Sequence, residues 1–165
     1  MWKLLQQATT RGSQRSPLVD SQNGAGDGTR SILCDSALRW DRERFLSGDG
    51  SCPSEIDVTG PPRYLIFGPF ITLEPGLWRA EYDLELCPDA SLRVLALQFG
   101  VEPDYTTLDI PRGQPGFRTV AIEHVLPVAG SVQLRLWLKK AAFHGHVRFK
   151  GASVTRVADA EPLPH

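Results

Sequence analysis

No stretch of this 165-residue sequence approaches the run of about 20 apolar residues that a membrane-spanning helix needs. The opening MWKLLQQATTRG has no continuous apolar segment of the kind a secretory leader carries, so no membrane partner is expected. An excess of one charge is also missing. The 18 Lys and Arg residues stand against 19 Asp and Glu, and a formal net charge of −1 gives no basic field for nucleic acid. Cysteine is scarce: Cys34, Cys52 and Cys87 show no Cys-x-x-Cys spacing, which excludes a zinc motif and a disulfide framework. Free thiols in a reducing, cytoplasmic compartment are expected, with a Cys34–Cys52 bridge as the alternative in a secreted setting. There is no sustained helical period and no alternation of strands with helices, which excludes a parallel α/β sheet.

Strand patterns fill this space. Between Leu77 and Leu86, Trp78, Ala80, Tyr82, Leu84 and Leu86 fall on one side, and Arg79, Glu81, Asp83 and Glu85 on the other. Successive side chains of a strand point to opposite faces, so this is a half-buried strand with one wet face. Further strands are predicted at Glu55–Val58, Tyr64–Phe67, Phe70–Leu73, Leu92–Val101, Thr106–Ile110, Phe117–Leu126, Val132–Leu138, Val147–Phe149 and Ala152–Val157, with a bulge at Gly151. Gly68-Pro69 bends the chain between the second and third of these, and Pro75-Gly76 is a turn dipeptide. The reading is all-β: an antiparallel two-sheet β-sandwich, connected as a jelly roll, over residues 39–158. Residues 1–38 read as a disordered or irregular arm, because SQNGAGDGTRS and its surroundings hold too little apolar surface to offset ordering. Residues 159–165 are a short tail. The arm raises the expectation that the domain is part of, or tethered to, something larger.

Three segments carry a resemblance. Gly68-Pro69-Phe70 is followed by Leu73-Glu74-Pro75-Gly76-Leu77-Trp78-Arg79, and Phe149-Lys150-Gly151-Ala152-Ser153-Val154 closes the domain. In this order they resemble the galactose-binding-like jelly rolls found as carbohydrate-binding modules, over roughly Trp40 to Val157. The resemblance implies a sugar-binding or scaffolding role without catalysis. Many such modules also hold a structural calcium near an early loop. Asp35, Asp41 and Asp49 supply oxygens there, without a defined calcium-loop spacing, and no other cofactor is implied.

Sugar recognition needs an apolar plate for the C–H face of a pyranose and planar polar groups for its hydroxyls. In SVQLRLWLKK the leucines take the inner side and leave Gln133, Arg135, Trp137 and Lys139 on the other. The last strand places His146, Arg148 and Lys150 on one face. If these two strands share a sheet, Trp137, Arg135, His146 and Arg148 form a shallow aromatic and cationic surface, suited to an acidic sugar. The alternative packs Trp137 beneath the amino-terminal segment or in a small second cluster. The loop Glu102-Pro103-Asp104-Tyr105 is a second candidate, since Asp104 and Tyr105 pair a carboxylate with an aromatic; the competing reading tucks the tyrosine into the core. Trp40-Asp41-Arg42 is a third, read as a cover over one end of the sandwich.

Catalytic chemistry finds no foothold. The pair His144 and His146 has the spacing of a cupin metal site but is followed by no carboxylate before Asp159. No Gly-x-Ser-x-Gly is present, and Glu81, Asp83 and Glu85 read as a solvated face. The expected function is a non-catalytic carbohydrate-binding module associated with polysaccharide synthesis or modification, its partner a glycan. The alternatives are a sandwich that docks on a partner protein and, third, a cupin-like metalloprotein.

Overall fold

The computed structural model describes residues 38–158. The predicted tail and all of the predicted arm except Leu38 lie outside the described residues, as do Asp35 and Cys34; Cys52 and Cys87 are free. Among the described residues ten strands form two antiparallel sheets. They are β1 (Leu38–Trp40), β2 (Leu46–Ser47), β3 (Glu55–Asp57), β4 (Arg63–Leu73), β5 (Gly76–Leu86), β6 (Leu95–Val101), β7 (Asp104–Asp109), β8 (Gly116–Leu126), β9 (Gly130–Leu138) and β10 (His146–Ala158). One sheet runs β1-β10-β5-β8, with β3 also paired to β10; the other runs β2-β4-β9-β6-β7. From β4 to β10 the chain crosses between layers at every step except the β6–β7 hairpin, the connectivity of a jelly-roll sandwich.

Alternation decides what each layer buries. Trp78, Ala80, Tyr82, Leu84 and Leu86 of β5 meet Val132, Leu134, Leu136 and Leu138 of β9 and Leu95, Leu97 and Phe99 of β6 in a single core. The Tyr82 hydroxyl donates to the Gln98 carbonyl across the layers at 2.7 Å and the Trp78 indole N–H donates to the Glu74 carbonyl at 2.9 Å, so both side-chain polar atoms that β5 sends inward are satisfied. The outer face of the β5 sheet is wet and laced with ion pairs: Arg39–Asp83 at 3.1 Å, Arg79–Glu81 at 3.1 Å and Arg148–Glu55 at 2.7 Å.

Several expected elements change shape. Tyr64–Phe67 and Phe70–Leu73 are one strand, β4, whose pairing with β9 slips between Tyr64 and Ile66 and again between Pro69 and Ile71. The strands read at Val147–Phe149 and Ala152–Val157 are likewise one, with a bulge between Phe149 and Gly151. A Cβ on Gly151 would lie 2.8 Å from the Trp40 carbonyl oxygen, so the bulge brings β10 against β1 where only glycine fits. The strand expected from Leu92 starts at Leu95, because Pro88–Ser91 forms a single helical turn that the Cys87 sulfur caps by accepting from the Ala90 amide at 3.3 Å. The short strand predicted from Thr106 begins earlier, at Asp104.

Candidate functional site

The outer face of the β4-β9-β6-β7 sheet carries the candidate site. Register places Phe67 beside Arg135 and Pro69 beside Gln133, with Tyr64 next to Trp137. On the other side of β9, Arg135 faces Gln98 and Gln133 faces Gly100; Gly100 in turn faces Tyr105 of β7. A groove of about 470 Å³ opens over this face, lined by Tyr64, Phe67, Phe70, Glu102, Gln133 and Arg135.

Strict alternation would not put Tyr64, Phe67 and Phe70 on one face, because their spacing is three rather than two. The two register slips in β4 make it so. Each slip adds an unpaired residue and re-aims the side chains beyond it. Phe70 has φ +59°, the one non-glycine residue with a positive φ among the described positions. That conformation is costly for an aromatic residue and concentrates at functional positions. It leaves Phe70 49% exposed, edge-on to Phe67 at 6.2 Å between ring centroids. Tyr64 is 39% exposed and lies tilted against Trp137 at 6.0 Å.

Arg135 is the fixed polar centre. Its guanidinium lies between two tyrosines, 5.0 Å from the Tyr64 ring centroid and 4.2 Å from that of Tyr105. Gln133 Oε1 accepts from Arg135 Nε at 3.0 Å and from Nη2 at 2.8 Å, which locks the plane of the group. Glu102 Oε2 approaches Nη2 at 3.4 Å from the rim of the groove. Gly100 makes the tyrosine placement possible: a Cβ there would sit 2.3 Å from the Asp104 carbonyl oxygen and 3.0 Å from the Tyr105 Cα. Burial raises the Tyr105 phenol above its usual range, so it remains a neutral hydroxyl.

Two candidates that the sequence keeps apart are therefore one. Arg135 and Trp137 on β9 share a sheet face with Tyr105, which is the second residue of β7 rather than part of an end loop. Asp104 points elsewhere, its carboxylate 4.0 Å from the Nε2 of His124. The surface combining Trp137 and Arg135 with His146 and Arg148 does not form. Strand β10 belongs to the other sheet, where Arg148 is paired with Glu55 at 2.7 Å and Glu85 at 3.5 Å, and His146 stands opposite Asp57 of β3. Face alternation says which way a side chain points within its strand but not which sheet the strand joins.

The other sequence candidates have structural duties. Trp40 is buried in the core, and the Asp41 carboxylate accepts from the Glu43 amide to cap a 3₁₀ turn. The Asp49 carboxylate accepts from Ser47 and Ser51, which lowers its pKa to about 2. His144 Nε2 lies 3.0 Å from Asp89 Oδ1, and no group of three His, Cys, Asp or Glu able to hold a metal occurs among the described residues.

Tyr64, Phe67 and Phe70 enter the groove without having been singled out as ligand contacts, and with them come Glu102 from the second candidate loop and Gln133 from the outward face of β9. The signal for the aromatics was in the sequence: Tyr64-x-x-Phe67-x-x-Phe70 repeats every three residues, with a Gly-Pro between the last two. A three-residue aromatic repeat in a strand requires bulges if the rings are to share a face.

No family model and no curated protein sequence matches the chain. Among solved structures it is similar to a carbohydrate-binding module, TmCBM61, in complex with beta-1,4-galactotriose, at 10% identity and a TM-score of 0.43, covering 59% of this chain and 66% of that one. It is also similar to the C-terminal CBM6 of LamC, a marine laminarinase from Zobellia galactanivorans, at 12% identity and a TM-score of 0.48, covering 73% and 99%. A third is the module CBM6cm-2 of Cellvibrio mixtus lichenase 5A in complex with cellotriose, at 12% identity and a TM-score of 0.37, covering 74% and 88%.

Proposed function

We propose that this domain is a glycan-binding module and that the groove over β4 and β9 is its binding site. One observation carries the reading: three partly exposed aromatics from one strand line an open groove beside a planar, pre-positioned Arg135, with Gln133 and Glu102 next to it. Aromatic faces remove the C–H surface of a pyranose from water, and the guanidinium, amide and carboxylate offer flat donors and acceptors to its hydroxyls. Arg135 is held on both faces and along one edge, so it needs little reorganisation when a ligand arrives. The role is non-catalytic, in the setting of polysaccharide synthesis or modification.

The test is a glycan array spanning neutral and acidic polysaccharides, followed by titration calorimetry on any hit. Tyr64→Ala and Phe70→Ala should each weaken binding by about tenfold or more. Their thermal midpoints should stay within a few degrees of the parent, because both side chains are partly exposed. Binding that survives both substitutions would move the site off this face, and silence across the array would remove the reading.

A further inference from the structure

The Arg135 guanidinium is short of acceptors on one edge. Its Nε edge, Nε together with one side of Nη2, is filled by Gln133, but Nη1 has no hydrogen-bond partner among the described residues, and beyond Gln133 Nη2 reaches only Glu102, at 3.4 Å. That distance is well beyond the 2.7–2.9 Å usual for a charge-assisted hydrogen bond. The Glu102 side chain is 74% exposed while that of Arg135 is 14% exposed, so a partly buried cation faces a solvated counter-ion. The Tyr105 hydroxyl, on the ring stacked against the same guanidinium, is buried without a partner among the described residues, as is Oε1 of Gln98, which stands opposite Arg135 on β6. The unmet need of the guanidinium itself is for an acceptor on its Nη1–Nη2 edge. A sugar hydroxyl both donates and accepts, whereas a carboxylate only accepts, and its planar pair of oxygens fits the end-on edge of a guanidinium.

Among the described residues no other cation lines the groove. Lys139, just past the end of β9, is paired with Asp109 at 2.8 Å.

We propose that the groove selects acidic glycans, with the carboxylate of a hexuronate unit displacing Glu102 from the Nη1–Nη2 edge of Arg135. This rests on the glycan-binding reading and adds the chemical class of the sugar. Glu102 then serves as a removable stand-in: it neutralises Arg135 in the free protein and competes with an incoming carboxylate for the same edge.

The test titrates the full chain with a panel of hexuronan oligomers, each compared with its carboxyl-reduced counterpart of the same linkage, and with a sulfated galactan. At low salt a hexuronan should bind about tenfold tighter than its reduced form, the scale of one charge-assisted hydrogen bond. The preference should shrink as salt is raised. Glu102→Gln should widen it, since this substitution removes the competitor from an exposed position, and Arg135→Gln should abolish it. Thermal unfolding checks that each variant is folded, and Glu102→Gln keeps the test open if Arg135→Gln is not. Equal or tighter binding of the reduced forms would overturn acid selectivity and leave glycan binding standing. A sulfated galactan bound more tightly than any hexuronan would overturn the carboxylate assignment, as would a Glu102→Gln variant with a weakened acidic preference. No binding by either member of any pair would count against the glycan reading itself.

Discussion

Phe70 and His124 show how single side chains here trade stability against position. Phe70 sits at φ +59° with half its surface in water, an arrangement in which the backbone cost is large and the burial gain small. Glycine takes that conformation without the Cβ penalty. Phe70→Gly should therefore leave the urea midpoint unchanged or raise stability by about 1 kcal/mol, while glycan affinity falls. A variant that lost stability and kept affinity would show that the ring is there for packing. His124, on the inner face of β8, is buried against Phe99, with Nδ1 2.9 Å from the Thr106 hydroxyl. Burial lowers its pKa, and nearby Asp104 offsets this only in part. The unfolded chain then binds a proton more readily than the folded one, so stability is full above the ordinary histidine range near 6.5 and is lost as pH falls through that value toward the lower folded pKa. Urea unfolding at neutral and mildly acid pH should show this loss, and a His124→Gln variant should show less of it.

At the scale of the element, β4 and β5 make the contrast. β5 alternates without interruption over eleven residues, and every inward position proposed from its pattern is buried. Its tie to the opposite layer is the Tyr82 hydroxyl on the Gln98 carbonyl; Tyr82→Phe should cost about 1 kcal/mol in urea denaturation without displacing the groove. β4 breaks the rule twice, and the breaks build the proposed binding face. Its sequence reads as two short strands because Gly68-Pro69 looks like a bend between them, whereas the chain runs on through it as one strand. The hairpin of β6 and β7 depends on backbone contact that no alternation pattern reports. Gly100→Ala would force a Cβ to 2.3 Å from the Asp104 carbonyl oxygen, so β7 must shift and carry Tyr105 off the Arg135 guanidinium. We expect a loss of about 3 kcal/mol, together with weaker glycan binding.

For the whole molecule, the aromatic row from Tyr64 to Phe70 runs along a strand, about 15 Å at the usual rise per residue once the two bulges are allowed for. An open groove of that length favours a chain of sugars over a single unit. Affinity should accordingly rise with oligosaccharide length until the row is covered, a trend calorimetry on a length series reads directly; affinity independent of length would confine binding to one subsite. The all-β sandwich, its inner residues and the bulge at Gly151 were legible beforehand, because apolar alternation and turn dipeptides act within ten residues of chain. So was the outward placement of Arg135 and Trp137 beside inward leucines.

Local patterning thus fixed the fold class and the facing of most side chains, since the two-residue period of an extended backbone is a property of the chain alone. The partnership of strands was settled by long-range pairing. β9 joined β4 and β6, while β10 joined β5 and β1 in the other layer, which parted Trp137 from Arg148 and brought Tyr105 to Arg135. Sheet membership depends on hydrogen bonds between residues distant in sequence, and these leave no period in the residues that make them.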